Sequence, residues 1–234
     1  MTLAASVSAF FVAGYFGVGL NVDPGRARPL GTALDARIPF VASSVWIYLG
    51  LFPTAFLPLF VVRCHRLFRR TILAYVLAIA TSLVLFAAFP VEANSLRVDA
   101  ASLDLTHFAP WAVALLYRLD PPYNLFPSLH LSIALLAAAS VWKASRRIGA
   151  GAFAAVLPIG ASICTVKQHF VLDAAGGAGL ALVLYALVLY RYEPVSGEPL
   201  AFGRRGLYAY AGVLFLSYAA LYAVFLAGGG MIPS

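Results

Sequence analysis

Residues 162–177 read SICTVKQHFVLDAAGG, and within them His169 and Asp173 are spaced i,i+4, which on a helix turns both side chains to one face. A carboxylate in that position accepts the Nδ1 proton of the imidazole, fixes its tautomer and leaves Nε2 as a basic nitrogen. His169 is therefore a candidate nucleophile and Asp173 its orienting group. Thirty-nine residues before His169, the stretch FPSLHLS sets a second imidazole, His130, at the start of an apolar run. A second histidine supplies what a nucleophilic one lacks, a proton for a leaving oxygen. Ser128, just after Pro127, suits the opening of a helix whose unpaired amides and positive dipole end favour a phosphate. Lys167 adds a point charge two residues before His169. Together these are the parts of a metal-free phosphoryl-transfer site: anion cradle, nucleophile, orienting carboxylate and general acid. Two histidines and an aspartate are also acceptable zinc ligands, but no fourth ligand and no H-E-x-x-H spacing accompanies them, and Lys167 would repel a cation. No metal and no cofactor is expected.

The elements that must position these groups are membrane helices. The 234 residues are 62% hydrophobic and 11% charged, and no soluble domain has that balance. A span needs roughly 17–25 mainly apolar residues. Seven stretches are candidates, near 3–22, 42–62, 71–90, 128–142, 148–166, 169–190 and 207–228, the fourth of them short. They are continuously apolar rather than alternating with period two, which favours helices over a barrel. The expected fold is all-α: a polytopic membrane helix bundle forming a single integral membrane domain over residues 1–234. LTHFAPWAVALLYRL, after the third span, is too short and interrupted to cross, and suits an interfacial or re-entrant segment. Trp46, Tyr48 and Trp111 suit interfacial aromatic belts, and AAGGAG after Asp173 a small-residue packing face. Cys64 and Cys164 fall near opposite membrane faces, so no disulfide framework follows.

The net charge of +7 does not point to nucleic acid, because the basic residues sit in short loops between spans. Arg63, Arg66, Arg69 and Arg70 follow the second span, Lys143, Arg146 and Arg147 the fourth, and Arg191, Arg204 and Arg205 the sixth. These ten of the 16 basic residues share one face, which the positive-inside rule assigns to the cytoplasm. The N-terminus is then inside and the C-terminus outside. His130, His169 and Asp173 meet at the extracytoplasmic end, in a plasma (inner) membrane.

FPSLH followed by KQHFVLD resembles the second and third signature motifs of the type 2 phosphatidic acid phosphatase superfamily, usually PSGH and SRxxxxxHxxxD. DPPYNLFPSLH is most similar to the branch that includes inositol phosphorylceramide synthases. The resemblance covers residues 30–190 and implies a six-helix core, with the span at 207–228 as an addition. It also implies that His169 forms a phosphohistidine, that Asp173 orients it and that His130 is the acid, the roles already argued from chemistry. Its first motif, KxxxxxxRP, is absent; Arg97 in FPVEANSLR is the substitute, with Arg118 in reserve. Ile163 stands where the third motif carries arginine, so phosphate binding leans on Lys167, Arg97, Arg118 and Ser128.

The implied activity is a metal-independent membrane enzyme that moves a phosphoryl group from a lipid phosphate to His169. Water as acceptor makes it a phosphohydrolase, whereas a lipid or polyol hydroxyl makes it a phosphotransferase of the inositolphosphotransferase type. Its partners are then the lipid phosphate and the bilayer. A proton-coupled transporter or lipid scramblase would use the same polar trio, although broken helices and inverted repeats are not apparent.

Overall fold

In the computed structural model, residues 2–193 and 199–232 are described, and among these every extended element is a helix, the β pairings being isolated bridges. The helices are α1 (Thr2–Gly19), α2 (Val45–Tyr48), α3 (Leu51–Val61), α4 (His65–Ala88), α5 (Phe108–Leu119), α6 (Leu129–Ala144), α7 (Arg146–Thr165), α8 (Val171–Leu184) and α9 (Arg204–Ala227). A 3-10 turn leads into α2, and a π-helical turn over Tyr185–Leu189 extends α8. Among the described residues, five segments are long and apolar enough to cross a membrane: Ala42–Val61, His65–Ala88, Arg146–Thr165, Val171–Leu189 and Arg204–Ala227. The chain is an integral membrane protein built as a polytopic helical bundle.

The first and fourth expected spans form shorter apolar helices, α1 and α6. For α6 the reason is its position. It packs against α3, α4, α7 and α8 and buries Ala134, Ala137, Ala138, Ser140 and Val141. Small side chains let the neighbouring backbones approach closely, which matters because lipid tails are as apolar as leucine and association rests on van der Waals packing. A helix enclosed by others needs less apolar length than one facing lipid. α5 falls in the short segment expected to be interfacial or re-entrant, and it packs into the core through Trp111, Val113 and Leu116. Trp111 and Tyr48, expected in an interfacial belt, are instead core residues with 0% and 1% exposure. Trp46 keeps an exposed face and stacks on Phe108 at 4.3 Å and Tyr218 at 6.0 Å, joining α9 to the bundle.

Two joints fix the site. Ser145 alone separates α6 from α7, and a Cβ on Gly149 would lie 2.3 Å from the Trp142 Cα, so only glycine permits this reversal. α6 and α8 meet where the Ser132 hydroxyl donates to the carbonyls of Ser128 and Gly177, each at 2.9 Å. There a Cβ on Gly177 would lie 2.4 Å from the Ser128 carbonyl oxygen, backbone that cannot swing away. Gly177→Ala is therefore expected to cost about 1–3 kcal/mol by overpacking. Gly179→Ala, inside the same helix with nothing within 4 Å, should not lower stability. Thermal unfolding of both variants in detergent checks the contrast.

Candidate active site

α6 begins because Ser128 caps it: its backbone is extended and its hydroxyl accepts from the Leu131 amide at 3.4 Å. The first-turn amides of Leu129 and His130 precede any carbonyl that could take them, so the helix presents donors beside the His130 ring. α8 begins two residues after His169. The expectation that His169 and Asp173 share one helix is thus corrected: His169 lies in the turn before α8, and Asp173 is in its first turn. The pairing survives because Asp173 reaches back, with Oδ2 accepting from the Phe170 amide at 2.8 Å and standing 3.6 Å from His169 Nδ1. That separation is an ion-pair contact, not a hydrogen bond.

The turn between α7 and α8 aims His169 inward. The Ile163 carbonyl accepts from the Gln168 amide at 3.0 Å and the His169 amide at 3.1 Å, while Lys167 takes a left-handed backbone with φ 57°. Residues other than glycine rarely adopt that conformation. The Ser128 amide donates to the Asp173 carbonyl at 2.9 Å, tying the start of α6 to that of α8. The His130 and His169 ring centroids are then 5.9 Å apart at 67°. His169 is 2% exposed and Asp173 0%. Both ring nitrogens of His169, and Asp173 Oδ1, are buried without a protein hydrogen-bond partner. Buried polar groups are nearly always bonded, so these three atoms call for a partner from water or a polar ligand.

The candidate cations are distributed around this centre. Arg97 donates through Nε and Nη2 to Gln168 Oε1 at 3.1 and 2.8 Å, and to the carbonyls of Tyr117 and Asp120 at 2.9 and 3.2 Å. Its Nη2 also lies 3.8 Å from the Asp120 carboxylate. Arg97 is therefore one residue from His169 through Gln168. Lys167 instead sends its ammonium to the carbonyls of Asp35 and Ile38, at 3.1 and 2.6 Å, holding the loop after α1. Arg118 is exposed near the end of α5.

Three residues outside the motifs' histidines and aspartate join the network. Asp120 accepts from the Tyr15 hydroxyl at 2.6 Å, and Gln168 Nε2 lies 3.4 Å from its other oxygen. The Tyr15 ring meets the His130 ring at 5.9 Å. Asp120 opens the DPPYN run and was legible as its first residue; Gln168 was marked only by adjacency to His169. Tyr15 carried no signal, because its contact with Asp120 spans 105 residues of sequence.

Asp35 secures the entrance to α8. Burial pushes its carboxyl up, but hydrogen bonds from the Thr32 hydroxyl and the Val171 and Thr32 amides outweigh it and hold the carboxyl below its ordinary range. A lowered folded-state pKa contributes stability that is present above the unfolded value of about 3.9 and is lost as pH falls through the folded one. Asp35→Asn should therefore lower the melting temperature at pH 7 and flatten its decline below about pH 4, read from thermal unfolding across that range.

Among the described residues, no three His, Cys, Asp or Glu side chains are grouped to hold a metal ion. A family model described as the PAP2 superfamily matches residues 25–187. No curated protein and no solved structure gives a significant match.

Proposed function

The chain belongs to the PAP2 superfamily, and from that premise we propose that it is a metal-independent lipid-phosphate phosphohydrolase working through a phosphohistidine. The family carries lipid-phosphatase-type activity; the residue roles are read from geometry and chemistry. The observation that carries them is the buried His169–Asp173 pair, 3.6 Å from Nδ1 to Oδ2, with a second imidazole, His130, 5.9 Å from the His169 ring.

A phosphate monoester enters with its oxygens toward the first-turn amides of α6 and the positive field of Arg97. Asp173 faces His169 Nδ1, which leaves Nε2 to attack phosphorus. An N–P bond forms, the bond from phosphorus to the lipid oxygen breaks, and protonated His130 gives its proton to that oxygen, releasing an alcohol. Neutral His130 then takes a proton from water, the water oxygen attacks phosphorus, the N–P bond breaks and phosphate leaves. Nucleophile, acid and counter-charge are all side chains or backbone dipoles, so no step requires a divalent ion. Lys167 secures the turn that carries His169 and, with Ser128 at the helix start and Arg118 at the rim, completes the electropositive surround.

The site faces the extracytoplasmic side of the plasma membrane. Arg70 and Lys143 donate to the carbonyls of Val188 and Tyr190 at 2.9 and 2.8 Å, at the end of the bundle opposite the histidines, and the positive-inside rule favours that basic end as the cytoplasmic one. DPPYNLFPSLH favours a second reading of the last step, in which a hydroxyl of a polyol or second lipid replaces water and the product is a new head group.

Purified protein in detergent with phosphatidic acid and EDTA is expected to release inorganic phosphate at a rate unchanged by added magnesium. Turnover that EDTA abolishes would overturn the metal-free chemistry.

A further inference from the structure

Beside His130 the bundle opens into an apolar groove of about 170 Å³ between α1, α3, α4 and α6. Ala4, Ser8 and Phe11 wall it on α1, and Ala55 and Phe56 on α3, with Phe68 at the far end. Two of its hydroxyls are taken up within the protein: Thr71 donates to the Leu67 carbonyl at 3.0 Å and Tyr75 to the Ala55 carbonyl at 2.9 Å. His130 stands in its wall at the other end, level with Tyr15, whose ring it meets. The α1 wall from Ala4 to Phe11 runs about 10 Å at 1.5 Å per helical residue. A long apolar slot with an imidazole at one end fits an amphiphile whose polar group reacts there. The groove is about the size of a cavity that holds one benzene, so it takes the inner side of one chain and not two, the chain's outer side being left to the bilayer.

We propose that this groove holds one aliphatic chain of the lipid phosphate, with its phosphate between His130 and His169, and that α1 sets the length of chain that fits. The inference rests on the phosphoryl-transfer reading above. It extends that reading to α1, which precedes the matched residues 25–187. Ala4, Ser8 and Ala55 are the small side chains that keep the slot open, and a bulky group at any of them would shorten it.

The test uses the full chain in detergent and two probes. One is a non-hydrolysable lipid phosphonate with a photoactivatable diazirine midway along its chain. The other is a pair of phosphatidic acids with short and long chains. The wild type is expected to carry the photolabel on α1 or α3 in the peptides that line the groove. Ala55→Phe, and Ser8→Phe from the facing helix, should each reduce that label. Each should also lower the ratio of kcat/KM for the long over the short substrate about tenfold, equivalent to ~1.4 kcal/mol or roughly two buried methylenes. Label on the lipid-facing surface of α9, or an unchanged ratio in both variants, overturns the groove. Label in the groove without phosphate release from either substrate supports the groove and sinks the phosphohydrolase reading. Release with label elsewhere does the reverse.

Discussion

Replacing His169 with alanine is expected to reduce phosphate release from a lipid phosphate by at least ~10³-fold, because removing a nucleophile abolishes the covalent route and leaves only binding and electrostatic assistance. The fold should tolerate the change. The His169 side chain makes no protein hydrogen bond, and the turn that carries it is held through the Ile163 carbonyl and the Lys167 ammonium. Loss of activity with a retained melting transition therefore separates chemistry from collapse. Asp173→Asn is the companion variant. An amide oxygen can still accept from the Phe170 amide and start α8, but it no longer offers a negative charge to the imidazole 3.6 Å away. A fall of ~10²–10⁴-fold is expected, the scale seen when an orienting carboxylate is neutralised. Phosphate release by His169→Ala at a rate near that of the wild type would end the account.

The second large effect belongs to His130, and its size depends on the substrate. A general acid is worth ~10²–10⁴-fold when the departing oxygen is a poor leaving group. A lipid alcohol needs that proton, whereas a nitrophenolate departs without one. His130→Ala should then slow phosphatidic acid hydrolysis at least ~10²-fold and leave nitrophenyl phosphate hydrolysis much less affected. Equal losses on both substrates would reassign His130 to binding. Its neighbours make that distinction measurable, since Tyr15 and Phe52 flank the ring edge-on, each at 5.9 Å, and shape the slot whatever its proton does.

The helical class, the membrane setting and the meeting of His130, His169 and Asp173 were legible because each depends on local pattern. Apolar runs set the spans, and FPSLH and KQHFVLD sit at helix starts. What escaped depends on tertiary placement. Trp111 and Tyr48 look like belt residues by type, yet helices on every side bury them. The Lys167 charge looks available to a phosphate from sequence, but its left-handed backbone turns the ammonium to the Asp35 and Ile38 carbonyls. Arg97 is brought against the residue beside His169 because Gln168 and Asp120, from two different segments, grip it. The Tyr15–Asp120 bond and the groove walled by α1 join residues so distant in sequence that no periodicity marks them.

The central claim is the N–P bond at His169. Trapping it is direct: mix enzyme and lipid phosphate, quench within one turnover into alkali, where phosphohistidine survives, and map the phosphoryl group by mass spectrometry of the peptides. The account predicts one phosphoryl group on the peptide containing His169, formed in the wild type and absent from His169→Ala. Substrate turnover without a phosphoryl group on His169 at any quench time would contradict it.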